Sequence, residues 1–331
     1  MYGIFKYAGI MAEELSQEEL TEELKQTGNK YRKELLMMPV AKISDTVKHM
    51  TFRTGVRGKE TIGKVTTDPE LGPYKTYRKA STPDDPTLRE LETFLGDVVE
   101  EFDPIKMSRT VFGGSLSQDK KEMPISKAIA MSETAKIGEK LAKSIFTAKR
   151  NSAGDKTKDL FNGFVTIGDK EVTDGNISSA KGNFCDLPIL TEDNVVDYLM
   201  QMYLDSASEE LQDQKTKMFL PKTIYNLYNK GYQNDFGSSP FNKQYKKTFL
   251  EGTEDTCELV PLIGLRKTNR IILSTKKNML VGVDQKSQME KVRIREVDNP
   301  KLLQLFMMMY FGTEFESIDP EMLCYGKIAT S

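Results

Sequence analysis

Residues 291–326 read KVRIREVDNPKLLQLFMMMYFGTEFESIDPEMLCYG, and the fold class turns on how this stretch is read. Val292 and Ile294 alternate with Arg293 and Arg295, the period of a strand with one buried face. Asp298-Asn299-Pro300 supplies a turn, because Asx side chains cap their own backbone and proline cannot continue a ladder. Leu302 to Phe311 is nearly unbroken in its apolar character and carries no charge. It is too short to cross a bilayer as a helix and too apolar to stand as an exposed face. The run is therefore expected to be a strand buried on both sides. After Gly312 a second short strand, Met322-Leu323-Cys324-Tyr325, follows Pro320 and stops at Gly326. Nothing in the block is chemically reactive, so it reads as a framework.

Working outward, strands are expected at Arg270–Ser274 and Met279–Val283, the latter joined to the block through a polar turn. Further upstream, Thr191 with Glu192 and Asp193 behind it predicts a capped helix whose inward face is Val195, Tyr198, Leu199 and Met202. Met218-Phe219-Leu220 predicts a short buried strand. Pro221 then opens a helix that carries Ile224, Leu227 and Tyr228 and ends at Gly231. Residues 151–186 are rich in Gly, Asn, Ser and Asp around one apolar run, Phe164-Val165-Thr166-Ile167.

Pro124 opens the clearest helix. Ile125, Ile129, Thr134, Ile137, Leu141, Ile145 and Ala148 recur at helical spacing, and continued to residue 150 the helix would be roughly 40 Å long. Leu88, Leu91, Leu95, Val98 and Phe102 keep a heptad-like spacing behind Pro86 and predict another helix, although Gly96 and Val98-Val99 also suit an extended run. Between residues 51 and 82, Gly55, Gly58, Gly63 and Gly72 punctuate strand-like pieces in which bases outnumber acids. A basic β-hairpin reaching away from its own domain fits that pattern. At the N-terminal end, Ser16 and Glu19 form a capping box ahead of a one-sided helix with Leu20, Leu24, Thr27, Tyr31 and Leu35. The class is α+β.

Composition narrows function. With 331 residues, 29% charged and a net charge of −2, the chain lacks the basic excess that drives phosphate neutralisation along DNA. Its three cysteines, Cys185, Cys257 and Cys324, are far apart in apolar settings and are expected to be reduced, buried thiols. One histidine, His49, and no close cysteine pair leave no zinc-ligand spacing. No phosphate loop, dinucleotide fingerprint or nucleophile elbow occurs. Asp84 and Asp119-Lys120-Lys121 can be assembled into a magnesium-nuclease arrangement, but Asp-x-Lys is a frequent accident. Met307-Met308-Met309 on a strand would point to alternate faces and cannot converge on one metal. No catalytic, cofactor-binding or metal residue is assigned, and neither a signal peptide nor a membrane span is expected.

Taken in order, these pieces resemble the tailed-bacteriophage major capsid protein, the Hong Kong 97-type fold family, from about residue 51 to the end. The glycine-rich basic hairpin resembles that family's extended loop, and the helix at 124–150 its spine helix. LTEDNVVDYLMQMYLDSASEELQDQKTKMFLPKTIYNLYNKGYQ resembles the helix–strand–helix of its axial domain, and 291–326 its closing strands. The resemblance implies an N-terminal arm at 1–50 and an extended loop at 51–82. It implies a peripheral domain at 83–155 and 291–311, and an axial α/β domain at 156–290 and 312–331.

It also implies a structural, non-enzymatic subunit that assembles with itself into pentamers and hexamers of an icosahedral shell. That shell encloses double-stranded DNA without sequence-specific binding, and is put together in the bacterial host cytoplasm with portal, scaffold and decoration proteins as partners. Arg53, Arg57, Lys59, Lys64 and Arg78 are the expected inter-subunit contacts. Lys59 or Lys64 lies where that family's cross-linking lysine would be, but no asparagine aligns with its target. An encapsulin-like cellular compartment is the alternative with the same fold.

Overall fold

The computed structural model describes residues 35, 39, 43, 46–64, 73–74, 87–103, 125–236, 249–284, 293–296 and 302–330. The chain divides into two compact units, one formed by 1–41, 97–138 and 285–308 and the other by 42–96, 139–284 and 309–331.

One sheet contains β1 (Thr51–Thr54), β2 (Gly58–Lys64), β3 (Thr87–Phe102), β8 (Met279–Asp284), β9 (Arg293–Glu296) and β10 (Leu303–Phe315). Its order is β1-β8-β10-β3-β2, with β9 also paired to β10. β1 runs parallel to β8, whereas β10 is antiparallel to β8 from Tyr310 opposite Asp284 to Phe315 opposite Met279. β9 behaves as its alternation predicts, with Ile294 buried and both arginines exposed.

β10 differs from expectation in two ways. Leu303, Leu305, Met307, Met309, Phe311, Thr313 and Phe315 are all buried, while Phe306, Met308, Tyr310 and Glu314 are half-buried. One face is closed and the other only partly covered, so the strand is not buried on both sides. Nor does Gly312 end it. A Cβ there would run into the Glu92 carbonyl, so glycine is what allows the β3 backbone to approach.

The helix expected over 86–102 is β3, a strand of 16 residues. Burial follows a period of two near Leu91 and Thr93, at 0% and 2% exposure, and leaves Leu88, Leu95 and Val99 exposed. The heptad spacing of leucines was coincidental. Pairing with both β10 and β2 overrides it, as tertiary context does for strand preference generally.

The second sheet contains β4 (Phe184–Leu187), β5 (Thr216–Pro221), β6 (Cys257–Leu262), β7 (Arg270–Thr275) and β11 (Leu323–Ile328), in the order β4-β11-β7-β5-β6. Met218, Leu220, Leu273 and Cys324 from these strands share a core with Val195, Leu199, Met202 and Tyr228 from helices.

Five α-helices have both ends among the described residues: α1 (Ile125–Ser144), α2 (Phe164–Thr173), α3 (Val195–Leu204), α4 (Glu209–Gln212) and α5 (Lys222–Phe236). α1 has 20 residues and is about 30 Å long, shorter than the periodicity predicts. Ile145, Phe146 and Ala148 are fully buried, but beyond Ser144 the chain leaves the helix and pairs with 163–165. The Phe164–Ile167 run is the first turn of α2. α3 begins later than Thr191, because Asn194 takes the cap position and its Oδ1 accepts the Thr191 N–H at 2.8 Å. α5 runs through Gly231, where a Cβ would meet the Glu192 carbonyl. That glycine permits close packing and does not end the helix.

Phe146 packs on Phe164 and Phe219, Phe164 on Phe315, and Phe161 on Phe311, with ring centroids 4.8 to 6.2 Å apart. Rings from β10 and β5 thereby share one aromatic cluster. Cys257 and Cys324 are buried, and burial pushes the Cys257 thiol up to about 12 and Cys324 up as well. Leu35 is helical and fully buried, whereas the rest of the helix expected after Ser16 lies outside the described residues. No helix among the described residues is long and apolar enough to cross a membrane.

Candidate functional site

The basic segment begins inside the sheet, because residues 51–54 are β1. Gly55 and Gly58 then adopt φ of +87° and +75°, a left-handed backbone that glycine tolerates, and the chain turns into β2. β2 pairs antiparallel with β3 from Gly58 opposite Thr93 to Lys64 opposite Thr87. The hairpin is therefore built from 58–64 and 87–93, with 65–86 as its connection. Tyr74, one of two described residues there, is 93% exposed. Val56, Ile62, Leu91 and Leu280 close a small apolar cluster beneath it. Thr93 Oγ1 donates to the Val56 carbonyl at 3.0 Å.

Of the five expected contact residues, three face acids of their own chain. Arg53 binds Glu60 at 2.9 Å and Lys59 binds Glu90 at 2.8 Å. Both ends of the Lys59 pair are more than half exposed, so water screens it heavily. Arg57 pairs with Asp284, whose carboxylate is only 2% exposed and needs that partner. Lys64 closes β2. Arg78 lies outside the described residues, as do Asp84, Asp119 and Lys120.

Among the described residues, the most buried ionic site is one that sequence reading missed. Arg89 of β3 donates to Glu171 of α2 at 2.9 Å and to Glu314 of β10 at 2.8 Å, and all three side chains are at most 16% exposed. Asn176 Nδ2 donates to the other Glu171 oxygen, and the Phe315 N–H to Glu314. Burial pushes the Glu314 carboxyl above its ordinary range, and Arg89 opposes that shift without cancelling it. The triad fastens the base of the hairpin to two other elements. Its sequence signal was hidden, since an Arg in an expected helix and a Glu beyond an expected strand end both read as solvated.

Two further networks brace the second sheet. Arg270 Nε and Tyr325 Oη both donate to Asp169 Oδ1, at 2.7 and 2.9 Å. Lys217 binds Glu258, and its Nζ lies 3.4 Å from His49 Nδ1. His49 and Glu258 line a cavity of about 450 Å³ together with Tyr225 and Ile263. Burial lowers the His49 pKa, against the opposing attraction of Glu258. Among the described residues no group of three His, Cys, Asp or Glu side chains could hold a metal ion. The ion pairs join strands to helices, Arg89 of β3 to Glu171 of α2 and Arg270 of β7 to Asp169 of α2.

No protein-family model and no curated protein matches the sequence. Solved structures share its fold. A chain of the satellite phage P4 procapsid, a particle that includes the size determination (Sid) protein, aligns over 98% of this chain and 94% of its own. Its TM-score is 0.55 at 10% identity. A chain of Gordonia phage Cozz aligns over 89% and 87% at TM-score 0.51 and 12% identity. One of Mycobacterium phage Adephagia aligns over 87% and 90% at TM-score 0.50 and 9% identity. The chain has the mixed α+β fold of phage capsid proteins, and at such identities the likeness is one of fold.

Proposed function

We infer that this protein is the major capsid subunit of a tailed phage, self-assembling into the icosahedral head shell around double-stranded DNA. The observation that carries the reading is a fold match spanning nearly the whole of both chains, 98% and 94%, with a phage procapsid chain. Two sheets tied by buried aromatics and ion pairs suit a load-bearing wall. In the Hong Kong 97-type scheme, α1 is the spine helix and the hairpin rooted in β2 and β3 the extended loop. The second sheet with α3 and α5 is then the centre of the axial domain, and 1–50 the N-terminal arm. Pentamers and hexamers close the shell, with portal, scaffold and decoration proteins as partners during assembly in the host cytoplasm.

Arg53, Arg57 and Lys59 hold the root of the hairpin to its own body. Lys64 and Arg78, with the remainder of the 51–82 extended loop, lie across an adjacent subunit in this reading. Electron microscopy of the purified protein at high concentration tests the main reading. Rings or closed shells are expected, and a strict monomer at every concentration would overturn it. Shells filled with protein cargo and never with DNA would move the protein to the encapsulin-like alternative. Shortening 65–86 to a tight turn, which leaves the β2–β3 ladder intact, is expected to give folded subunits that do not assemble. Normal shells from that variant would remove the extended-loop reading.

A further inference from the structure

The segment after α1 folds back as a tight ribbon. The Lys149 N–H donates to the Lys158 carbonyl, the Asn151 N–H to the Asp159 carbonyl and the Gly163 N–H to the Ala148 carbonyl, each at 2.8 Å. Asn162 Oδ1 accepts the Arg150 N–H at 2.9 Å. On this pinned backbone lies a cavity of about 460 Å³ lined by Thr147, Lys149, Arg150, Asn151, Lys158 and Asp159.

Its charge is unusual for this molecule. Around the hairpin and the second sheet, Arg53, Arg57, Lys59, Arg89, Lys217 and Arg270 are all paired with carboxylates. Lys149, Arg150 and Lys158 share one concavity, and none of them pairs with a carboxylate among the described residues. Asp159 is the one acid in the lining, and its Oδ2 is engaged by the Lys156 N–H at 3.1 Å. Arg150 is held in place. Its guanidinium lies 4.5 Å above the Phe94 ring and one Nη donates to the Asp159 carbonyl at 3.3 Å. A guanidinium has five N–H donors, so most remain to offer. Three cations against one carboxylate leave the lining net positive, and a bound anion relieves the repulsion that remains.

We propose that this cavity is an oxyanion site that takes a phosphate group, and that in the assembled shell the group belongs to the backbone of the enclosed DNA. The cavity argument stands on the ribbon's geometry; the DNA source rests on the capsid reading above. Guanidinium and ammonium groups beside a threonine hydroxyl and an asparagine amide match phosphate oxygens. The nearby aromatic face is already covered by Arg150, which leaves no platform for stacking a base. The contact is therefore blind to sequence. One such site is weak, but a long duplex meets a copy on every subunit, and avidity multiplies the effect. A net charge of −2 keeps DNA from adhering elsewhere.

The test adds two probes to full-length protein before it assembles, so that both reach what becomes the inner wall: a short random-sequence duplex followed by fluorescence anisotropy across a salt series, and inorganic phosphate followed by calorimetry. Lys149→Gln/Lys158→Gln is expected to weaken duplex binding on the order of tenfold at low salt. It should also lower the log–log salt slope by about 0.9, for the one phosphate that the site no longer neutralises. Lys149→Arg/Lys158→Arg is expected to keep both. If the glutamine variant loses inorganic phosphate but binds duplex normally, the oxyanion site stands and its DNA source falls. If neither probe separates the glutamine variant from the native protein, the proposal is overturned. It is equally overturned if native shells bind neither probe while the glutamine variant fails to assemble, because the cavity would then receive carboxylates of a second copy. Failure of the native protein to form shells would count against the capsid reading alone, and the phosphate titration would still report on the cavity.

Discussion

β10 and β3 lie side by side in one sheet and are made of opposite materials. β10 places Leu305, Met307, Phe311 and Phe315 in the core at 0 or 1% exposure. β3 carries five acids in 16 residues and leaves Leu95 and Val99 at 42% and 52%. A strand like β10 is held by what its own side chains bury. β3 is held by its neighbours: the ladders on either flank, the Gly312 gap and the Arg89 triad. The difference teaches that apolar density predicts where a strand is anchored, while an acidic strand becomes one only where other strands receive it.

The largest effect that would expose this contrast comes from placing one charge on each strand. Met307→Asp puts a carboxylate on a fully buried position and is expected to cost at least about 4 kcal/mol, enough to abolish soluble folded protein. Val99→Asp, on the exposed face of β3, should stay within about 0.5 kcal/mol in chemical denaturation. Comparable losses from the two would erase the distinction.

Next is Arg89→Met, which strands Glu171 and Glu314 in the interior and is expected to cost about 3–5 kcal/mol at neutral pH. Its pH dependence follows from Glu314. A carboxyl whose folded pKa is raised contributes stability below its ordinary value of 4.5, and that contribution is lost as pH rises through the folded pKa. Removing Arg89 takes away the group that opposes the rise. The deficit of the variant should therefore shrink between pH 7 and pH 5, and a deficit constant across that range would refute the triad's role.

Gly312→Ala should be milder, about 1–3 kcal/mol, as the β3 carbonyl is pushed aside by the new methyl. A neutral result in thermal unfolding would mean that the two backbones are not held so closely.

The smallest effect concerns His49 in the second sheet's network, away from both strands. Its folded pKa is lowered by burial, so its contribution to stability is present above 6.5 and is lost as pH falls through the folded value. Tm should fall on mild acidification in the native protein and fall less in His49→Gln. Identical pH profiles would show the imidazole to be indifferent.

Much of this was legible from residues. The alternation at 292–295, the apolar core of β10, the strand at 218–220 and the helix after it are local patterns, and local patterns survive folding. The candidate site was legible only as a basic, glycine-punctuated segment. Which cations face home acids depends on partners distant in sequence, such as Asp284 for Arg57. The Arg89 triad draws on residues 89, 171 and 314, and no spacing rule connects those positions.

The sequence by itself determined that this is a charged, near-neutral α+β chain with one strongly apolar strand, a long helix and a basic hairpin. Those properties follow from side-chain periodicity and backbone preference within a few residues. Only the tertiary structure decided that 87–102 is a strand, that β10 has one closed face, and that three cations of the 149–158 ribbon share a cavity with a single carboxylate. Each of these depends on what lies across the sheet or fold, where burial and pairing outweigh any preference written in the local chain.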